Sequence, residues 1–315
     1  MSVAANGGAP EAGTPIRVYV GSQDAQMVPV KVLEYSIRQR TAMPVEVFPL
    51  HHAGIEYPMP KDVRNRPRTP FSFQRFFIPQ LAGYHGRAIY LDSDMQVFRD
   101  IAELWSLPFD GADLLAAWAR EDSGRKPQFS VMLLNCEALR WDLTDIVAAL
   151  DRGELTYETL MYEMKVARQV RAAIHPEWNS LERYEAGRTS LLHYTDMTKQ
   201  PWVSRDNPLG HLWVRELIDA VSHGFVSRDL VEAHVREAFL RPSLLYQLDH
   251  KIEDVAALPP AALALDARFV PPYKRMPSHA GAPSGFLQRT RGLLRQVYER
   301  SPFSRAARDP RKAQG

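Results

Sequence analysis

The chain has 315 residues, 45% of them hydrophobic, and a formal net charge of +2. That length and apolar content suit one large domain, or one domain with an extension, and the near-balanced charge argues against a nucleic-acid partner. The single cysteine, Cys136, excludes an internal disulfide framework and fits a reducing compartment, while no stretch reaches the roughly 18 apolar residues of a membrane-spanning helix.

Residues 1–14 are small and polar, lack the apolar core of a secretory leader, and are expected to form a disordered tail. Ile16 to Val20 reads as a first strand, and Gly21-Ser22 after it permits a tight turn or the close approach of a ligand. The apolar spacing of Val28, Val32, Leu33 and Ile37 predicts a helix to Arg40, and Val45 to Leu50 a second strand, a βαβ opening to a parallel sheet. A polar loop rich in Pro and Arg, 51–70, precedes a predicted helix over Phe73 to Leu81. Ala88 to Leu91 is a buried strand, and Ile101 to Trp105 a short helix. Strands are expected at Asp113 to Ala117 and Val131 to Leu134, where Cys136 reads as a small buried residue rather than a nucleophile. Helices are expected over 146–150, 155–170, 211–223 and 230–240, with a strand at Ser190 to Tyr194. Pro259-Pro260 and Pro271-Pro272 bracket a linker, so the expected organisation is a tail over 1–14, a domain over 15–255, and a linker with a basic extension over 256–315.

The strand at 88–91 breaks abruptly into Asp92-Ser93-Asp94. Two carboxylates beside a core are costly, and a hard divalent cation such as Mn²⁺ or Mg²⁺ would offset that cost while gripping a diphosphate. A solvated turn is the plainer reading of the same tripeptide.

Two further features follow the same order along the chain. Ser72-Phe-Gln-Arg-Phe-Phe-Ile-Pro79 precedes the acidic pair, and Leu191-Leu-His-Tyr-Thr-Asp-Met-Thr-Lys-Gln-Pro-Trp202 comes about a hundred residues after it. Together the three resemble the GT-A glycosyltransferases of family 8 and its bacterial relatives, over roughly Ile16 to Val221. The resemblance implies a Rossmann-like, mixed but mainly parallel α/β sheet flanked by helices. It also implies retaining transfer from a nucleoside diphosphate sugar to a carbohydrate or glycolipid hydroxyl. Carried over, Asp92, Asp94 and His193 become ligands of Mn²⁺ or Mg²⁺, Lys199 meets the diphosphate, and Arg75 contacts the donor. Gly21, Ser22 and Asp24 line the base and ribose, and Ser93 joins the donor-binding set. Asn179, in a Trp178-Asn179 loop, lies toward the acceptor, and Trp202 offers a sugar platform.

Plainer readings stand beside several of these. His193 suits a core histidine, Arg75 a surface ion pair, Trp202 a core anchor, and Trp178-Asn179 a buried Trp with a turn Asn. The chain also departs from the family's pattern. Asp196 replaces a Gly, Gln200 is inserted between Lys199 and Pro201, and Gln128-Phe-Ser130 replaces Asn-Ala-Gly. An Asp-Gln pair expected near Tyr157-Glu158 is missing, leaving Glu158 as the nearest acidic substitute for a catalytic group. These departures keep open a catalytically inactive, nucleotide-sugar-binding relative. A sugar-phosphate nucleotidyltransferase is the weaker alternative, because Gly21 to Asp24 is not a Gly-rich basic loop. From Gly285 onward eight basic residues face two acids, and 285–298 has the pattern of a basic amphipathic helix. That pattern suits either the inner surface of a membrane, with an otherwise cytoplasmic location, or docking on the catalytic domain.

Overall fold

The computed structural model describes residues 13–69, 71–117 and 129–275. Most of the expected N-terminal tail, Gln128 and the basic stretch 285–298 lie outside them. Strand β1 (Ile16–Gly21) leads through a 3-10 turn at Asp24–Gln26 into helix α1 (Met27–Arg38), and β2 (Val45–Pro49) returns parallel to β1. A 3-10 turn at Gln74–Phe77 runs into the single helical turn α2 (Ile78–Leu81), and β3 (Arg87–Asp92) lies parallel on the other side of β1. This is the expected βαβ opening. β4 (Met95–Val97), α3 (Ala102–Trp105), β5 (Leu114–Ala117), β6 (Val131–Asn135), α4 (Leu143–Asp151) and α5 (Tyr157–Met161) follow. Next come β7 (Val170–Ile174), β8 (Ser180–Leu181), β9 (Leu191–His193), α6 (Gly210–Ser222), α7 (Arg228–Arg236), α8 (Ser243–His250), α9 (Pro260–Ala264) and α10 (Pro272–Arg275).

Six strands form the main sheet in the order β2-β1-β3-β6-β5-β7. Only β6 runs antiparallel to its neighbours, so the sheet is mixed and mainly parallel, as expected. A small second sheet, β4-β9-β8, stands apart from it.

Helix α1 joins the two cores. From Met27 to Ile37 only Lys31 escapes burial, as a helix apolar nearly all round requires. Val30, Leu33 and Ile37 pack with the sheet residues Val18, Ile89 and Leu91. Val28, Val32 and Tyr35 pack with Trp202 and with Trp213 and Leu217 of α6. The buried Glu34 carboxylate is matched by Lys31 at 2.8 Å and Arg38 at 2.9 Å.

A polar network then fixes β4 between α1 and α6. Val97 N donates to Ser36 Oγ at 3.0 Å, and Gln96 Nε2 donates to Glu216 Oε2 at 2.9 Å. Arg40 clasps both Glu216 oxygens at 2.9 Å, and Tyr194 Oη donates to Gln96 Oε1 at 2.8 Å. With every member partnered, a buried network specifies a single arrangement.

Several expected elements are corrected. The helix over 73–81 is a 3-10 turn followed by one α turn, with Pro79 in its first turn, where a missing N–H costs nothing. The helix over 155–170 covers only α5. Met164 takes a left-handed φ of 52°, and the chain re-emerges as strand β7, whose central residues are exposed and show no alternation. The 190–194 strand is Leu191–His193, in the small sheet. Ordered packing also continues past residue 255. Ala262 of α9 is buried, and Asp266 accepts from Ser243 N at 2.8 Å and pairs with Arg205 at 3.3 Å.

His234 of α7 yields a prediction. It is 6% exposed, its Nδ1 lacks a hydrogen-bond partner among the described residues, and its ring meets Phe239 edge-on at 5.4 Å. Burial pushes its pKa down to about 4 from 6.5. Between those values the unfolded chain binds a proton that the native chain refuses, so stability is intact above pH ~6.5 and is lost toward pH ~4, by about 3 kcal/mol. Urea unfolding from pH 7 to pH 4 is expected to lose about that much more in the native sequence than in His234→Leu.

Candidate functional site

β3 ends with Leu91 in the core and Asp92 at its edge, and a turn through Ser93 and Asp94 leads into β4. β4 leaves the main sheet and pairs antiparallel with β9, Met95 opposite His193. Tyr194 N donates to Asp94 O at 2.8 Å, and His193 Nε2 lies 3.1 Å from Asp94 Oδ1. One ligand atom from each of Asp92, Asp94 and His193 lies within 4.8 Å of the others. The sequence brings these residues together only through a family pattern; the structure does so through strand pairing.

Each of the three is held by a neighbour. Tyr90 Oη donates to Asp92 Oδ1 at 2.5 Å. Burial, reinforced by the nearby carboxylates, raises the Tyr90 hydroxyl well above its ordinary range, so it remains a donor. Arg75 is buried. It lies over the Tyr90 ring at 4.5 Å, donates to Tyr90 Oη at 3.0 Å and Phe129 O at 3.1 Å, and comes within 3.6 Å of Asp92. Asp94 Oδ2 accepts from Gln200 Nε2 at 3.0 Å. His193 Nδ1 lies 2.9 Å from Asn179 Oδ1, and an amide oxygen only accepts, so Nδ1 carries the proton and Nε2 turns its lone pair toward Asp94.

A lone pair and a carboxylate at that distance need a positive charge between them. Burial by itself would lower the His193 pKa, but Asp94, then Asp92 and Glu182, outweigh it and the net shift is upward. A proton meets the need in the metal-free chain, and a cation would meet it equally. Two carboxylates and one oriented imidazole fit Mn²⁺, which accepts both oxygen and nitrogen.

The other sequence-derived residues divide. Lys199 is exposed, and its Nζ makes no ion pair among the described residues. Asn179 orients His193 from a 3-10 turn at Pro176–Asn179, so its amide is already engaged rather than open to an acceptor. Trp202 is 3% exposed between Tyr194 and Trp213, and is a core anchor with no face to offer a sugar. Ser93 is buried in the turn. Glu158 is exposed at the start of α5 and pairs with Arg68 at 3.3 Å, with Arg68 lying over the Tyr157 and Tyr162 rings. The Asp196 carboxylate closes its own turn, accepting from Thr198 N at 2.9 Å and Thr198 Oγ1 at 2.6 Å. Ser22 is buried and contacts His51 Nδ1 at 2.9 Å, and Asp24 lies 3.3 Å from His51 Nε2. Gly21 has a packing reason: a Cβ there would run into Tyr90 Oη, the donor to Asp92.

Tyr90, Gln200 and Glu182 were missed as supports. Gln200 was visible as an insertion, and its role follows from that extra residue reaching back to Asp94. Glu182 accepts from Asp196 N at 2.8 Å and Thr195 Oγ1 at 3.2 Å, and nothing in its sequence surroundings marks it.

Residues 26–142 match the family model for glycosyl transferase family 8. Protein CDI of Arabidopsis thaliana is 34% identical over 98 residues, which make up 30% of this chain. The chain spans about a third (37%) of that relative's length. Among solved structures, the galactosyltransferase LgtC, in complex with donor and acceptor sugar analogues, has a TM-score of 0.46 and 14% identity, covering 67% of this chain and 100% of that one. GlyE of Streptococcus pneumoniae TIGR4 has a TM-score of 0.45 and 18% identity, covering 67% and 64%. The chain is thus a mixed α/β protein that is family 8-like over the segment supplying Arg75, Asp92 and Asp94, which supports a glycosyltransferase. The matched segment stops before Asn179, His193 and Lys199.

Two substitutions probe the supports. Gln200→Ala is expected to weaken Mn²⁺ binding by about 10- to 100-fold, the usual cost of losing an outer-shell partner, with the fold retained by circular dichroism. Gly21→Ala is expected to displace Tyr90, lowering both Mn²⁺ affinity and stability, the latter by about 1–3 kcal/mol in urea unfolding.

Proposed function

We propose that this chain is a metal-dependent, retaining glycosyltransferase that moves a sugar from a nucleoside diphosphate sugar, a UDP-sugar, to a hydroxyl of a glycan or lipid-linked glycan. The observation that carries the reading is the convergence of Asp92, Asp94 and an Asn179-oriented His193 at the carboxyl end of a central strand, where open α/β sheets bind their ligands. A bound Mn²⁺ or Mg²⁺ would supply Lewis-acid stabilisation of the departing diphosphate.

The chain's own groups complete the chemistry. Lys199, exposed and without an ion-pair partner among the described residues, offers its ammonium to the diphosphate as negative charge develops there. Arg75 and Tyr90 hold Asp92 in one orientation, which lowers the reorganisation needed when donor binds. Glu158 is engaged by Arg68 on the surface, which favours a course without a carboxylate nucleophile. In that course the acceptor hydroxyl attacks on the face that the diphosphate leaves. The new glycosidic bond forms as the sugar–phosphate bond breaks, and the hydroxyl proton passes to a phosphate oxygen of the leaving group.

The test is UDP release from a panel of UDP-sugars, with and without Mn²⁺. Mn²⁺-dependent turnover is expected, reduced on the order of a hundredfold or more in Asp94→Asn and in His193→Ala. Turnover unchanged in EDTA would overturn the metal role. Tight UDP binding with no turnover on any donor would favour a nucleotide-sugar-binding relative without catalysis.

A further inference from the structure

The parallel pairing of β1 and β2 brings a second group together at the same end of the sheet. Val20 lies opposite Pro49, so the turn after β1 carries Asp24 next to the 3-10 turn Leu50–Ala53, which carries His51 and His52. One ligand atom from each of Asp24, His51 and His52 lies within 4.8 Å of the others, and all three residues are partly exposed. The two imidazoles meet edge to face with centroids 4.3 Å apart.

The Ser22 hydroxyl is compatible with a metal-binding tautomer of His51. Ser22 Oγ lies 3.2 Å from Val20 O and 2.9 Å from His51 Nδ1, and its one proton can serve either partner. With that proton given to Val20 O, His51 keeps its own proton on Nδ1 and has its lone pair on Nε2, the form that a cation at Nε2 requires. That atom is buried and makes no hydrogen bond of good geometry, yet it lies 3.3 Å from Asp24 Oδ1. In that tautomer a lone pair faces a carboxylate, as at His193 and Asp94, and a cation between them would satisfy both. The separation also matches the edge of a tetrahedron with metal–ligand bonds of about 2.0–2.1 Å, which is roughly 3.3–3.4 Å.

We propose that Asp24, His51 and His52 form a second divalent-cation site, selective for borderline ions of the Zn²⁺ type. Two imidazoles and one carboxylate are a zinc-type donor set with a fourth position left open, and Ser22, accepting from His51 Nδ1, would hold His51 in the ligating tautomer. The set at Asp92, Asp94 and His193 is richer in oxygen, so the two sites differ in preference: Zn²⁺ for the nitrogen-rich one, Mn²⁺ for the other. The proposal stands whether or not the chain transfers sugars.

The test uses the full chain, stripped of metal, with Zn²⁺ alone as the probe in calorimetry at neutral pH and with Co²⁺ absorption as a spectroscopic readout. Zn²⁺ binding is expected to survive Asp94→Asn, and to weaken at least tenfold in His51→Ala and in His52→Gln, with loss of the tetrahedral Co²⁺ bands. Ser22→Ala, which leaves all three ligands in place, is expected to weaken Zn²⁺ less than either. Circular dichroism of each variant separates lost ligation from lost fold. Unchanged Zn²⁺ affinity in a folded His51→Ala or His52→Gln chain would overturn the proposal. So would Zn²⁺ binding that disappears in Asp94→Asn, or a native chain that takes up no Zn²⁺, which would leave only a proton shared between His51 and Asp24.

Discussion

The pairing of Met95 with His193 is the contact on which the site depends. β4 and β9 contribute three residues each, too few to hold a sheet by themselves. Their register is held from outside, by Ser36 of α1 bonding Val97, by Glu216 of α6 bonding Gln96, and by Tyr194 closing on Gln96. A slip of one residue would turn His193 to the opposite face and carry Asp94 away from it. The two hydrophobic cores, joined through α1, therefore act on the site indirectly, by holding the frame in which the short strands align.

That frame also explains how two carboxylates tolerate their position. Asp92 and Asp94 are mostly buried, with side-chain exposures of 16% and 17%. Water alone does not solvate them. Tyr90 and Arg75 serve one carboxylate, and Gln200 and His193 the other. These contacts hold both carboxylates in one arrangement, with one oxygen of each within 4.8 Å of a His193 ring nitrogen.

The opening βαβ unit was legible because its strands are uninterrupted apolar runs and α1 repeats at helical spacing. The acidic pair was legible because it breaks such a run. What escaped was whatever depends on chain segments far apart. β7 has Arg171, Ala172 and Ala173 exposed, so no period marks it as a strand. β4 is too short to have a pattern. Asn179 and Trp202 carried two readings each, and tertiary packing decided between them: Asn179 bonds His193, and Trp202 lies against Trp213. Gly21 illustrates the limit most directly. Its residue type suggested room for a ligand, whereas the atom that needs the room is the hydroxyl of Tyr90 on the neighbouring strand.

Asp94 and His193 are about a hundred residues apart in the chain, and closing a loop of that length costs a free polymer on the order of 4 kcal/mol in entropy. The β4–β9 ladder has already met that cost before any ion arrives. An ion entering the candidate site would therefore encounter groups already gathered, and its affinity would measure how well the ladder is kept. During synthesis the carboxylates emerge long before the histidine, so a growing chain has no complete ion site until the strand ending at residue 193 has folded back. An ion bound there would act as a clasp on a finished topology rather than as the seed of a forming one.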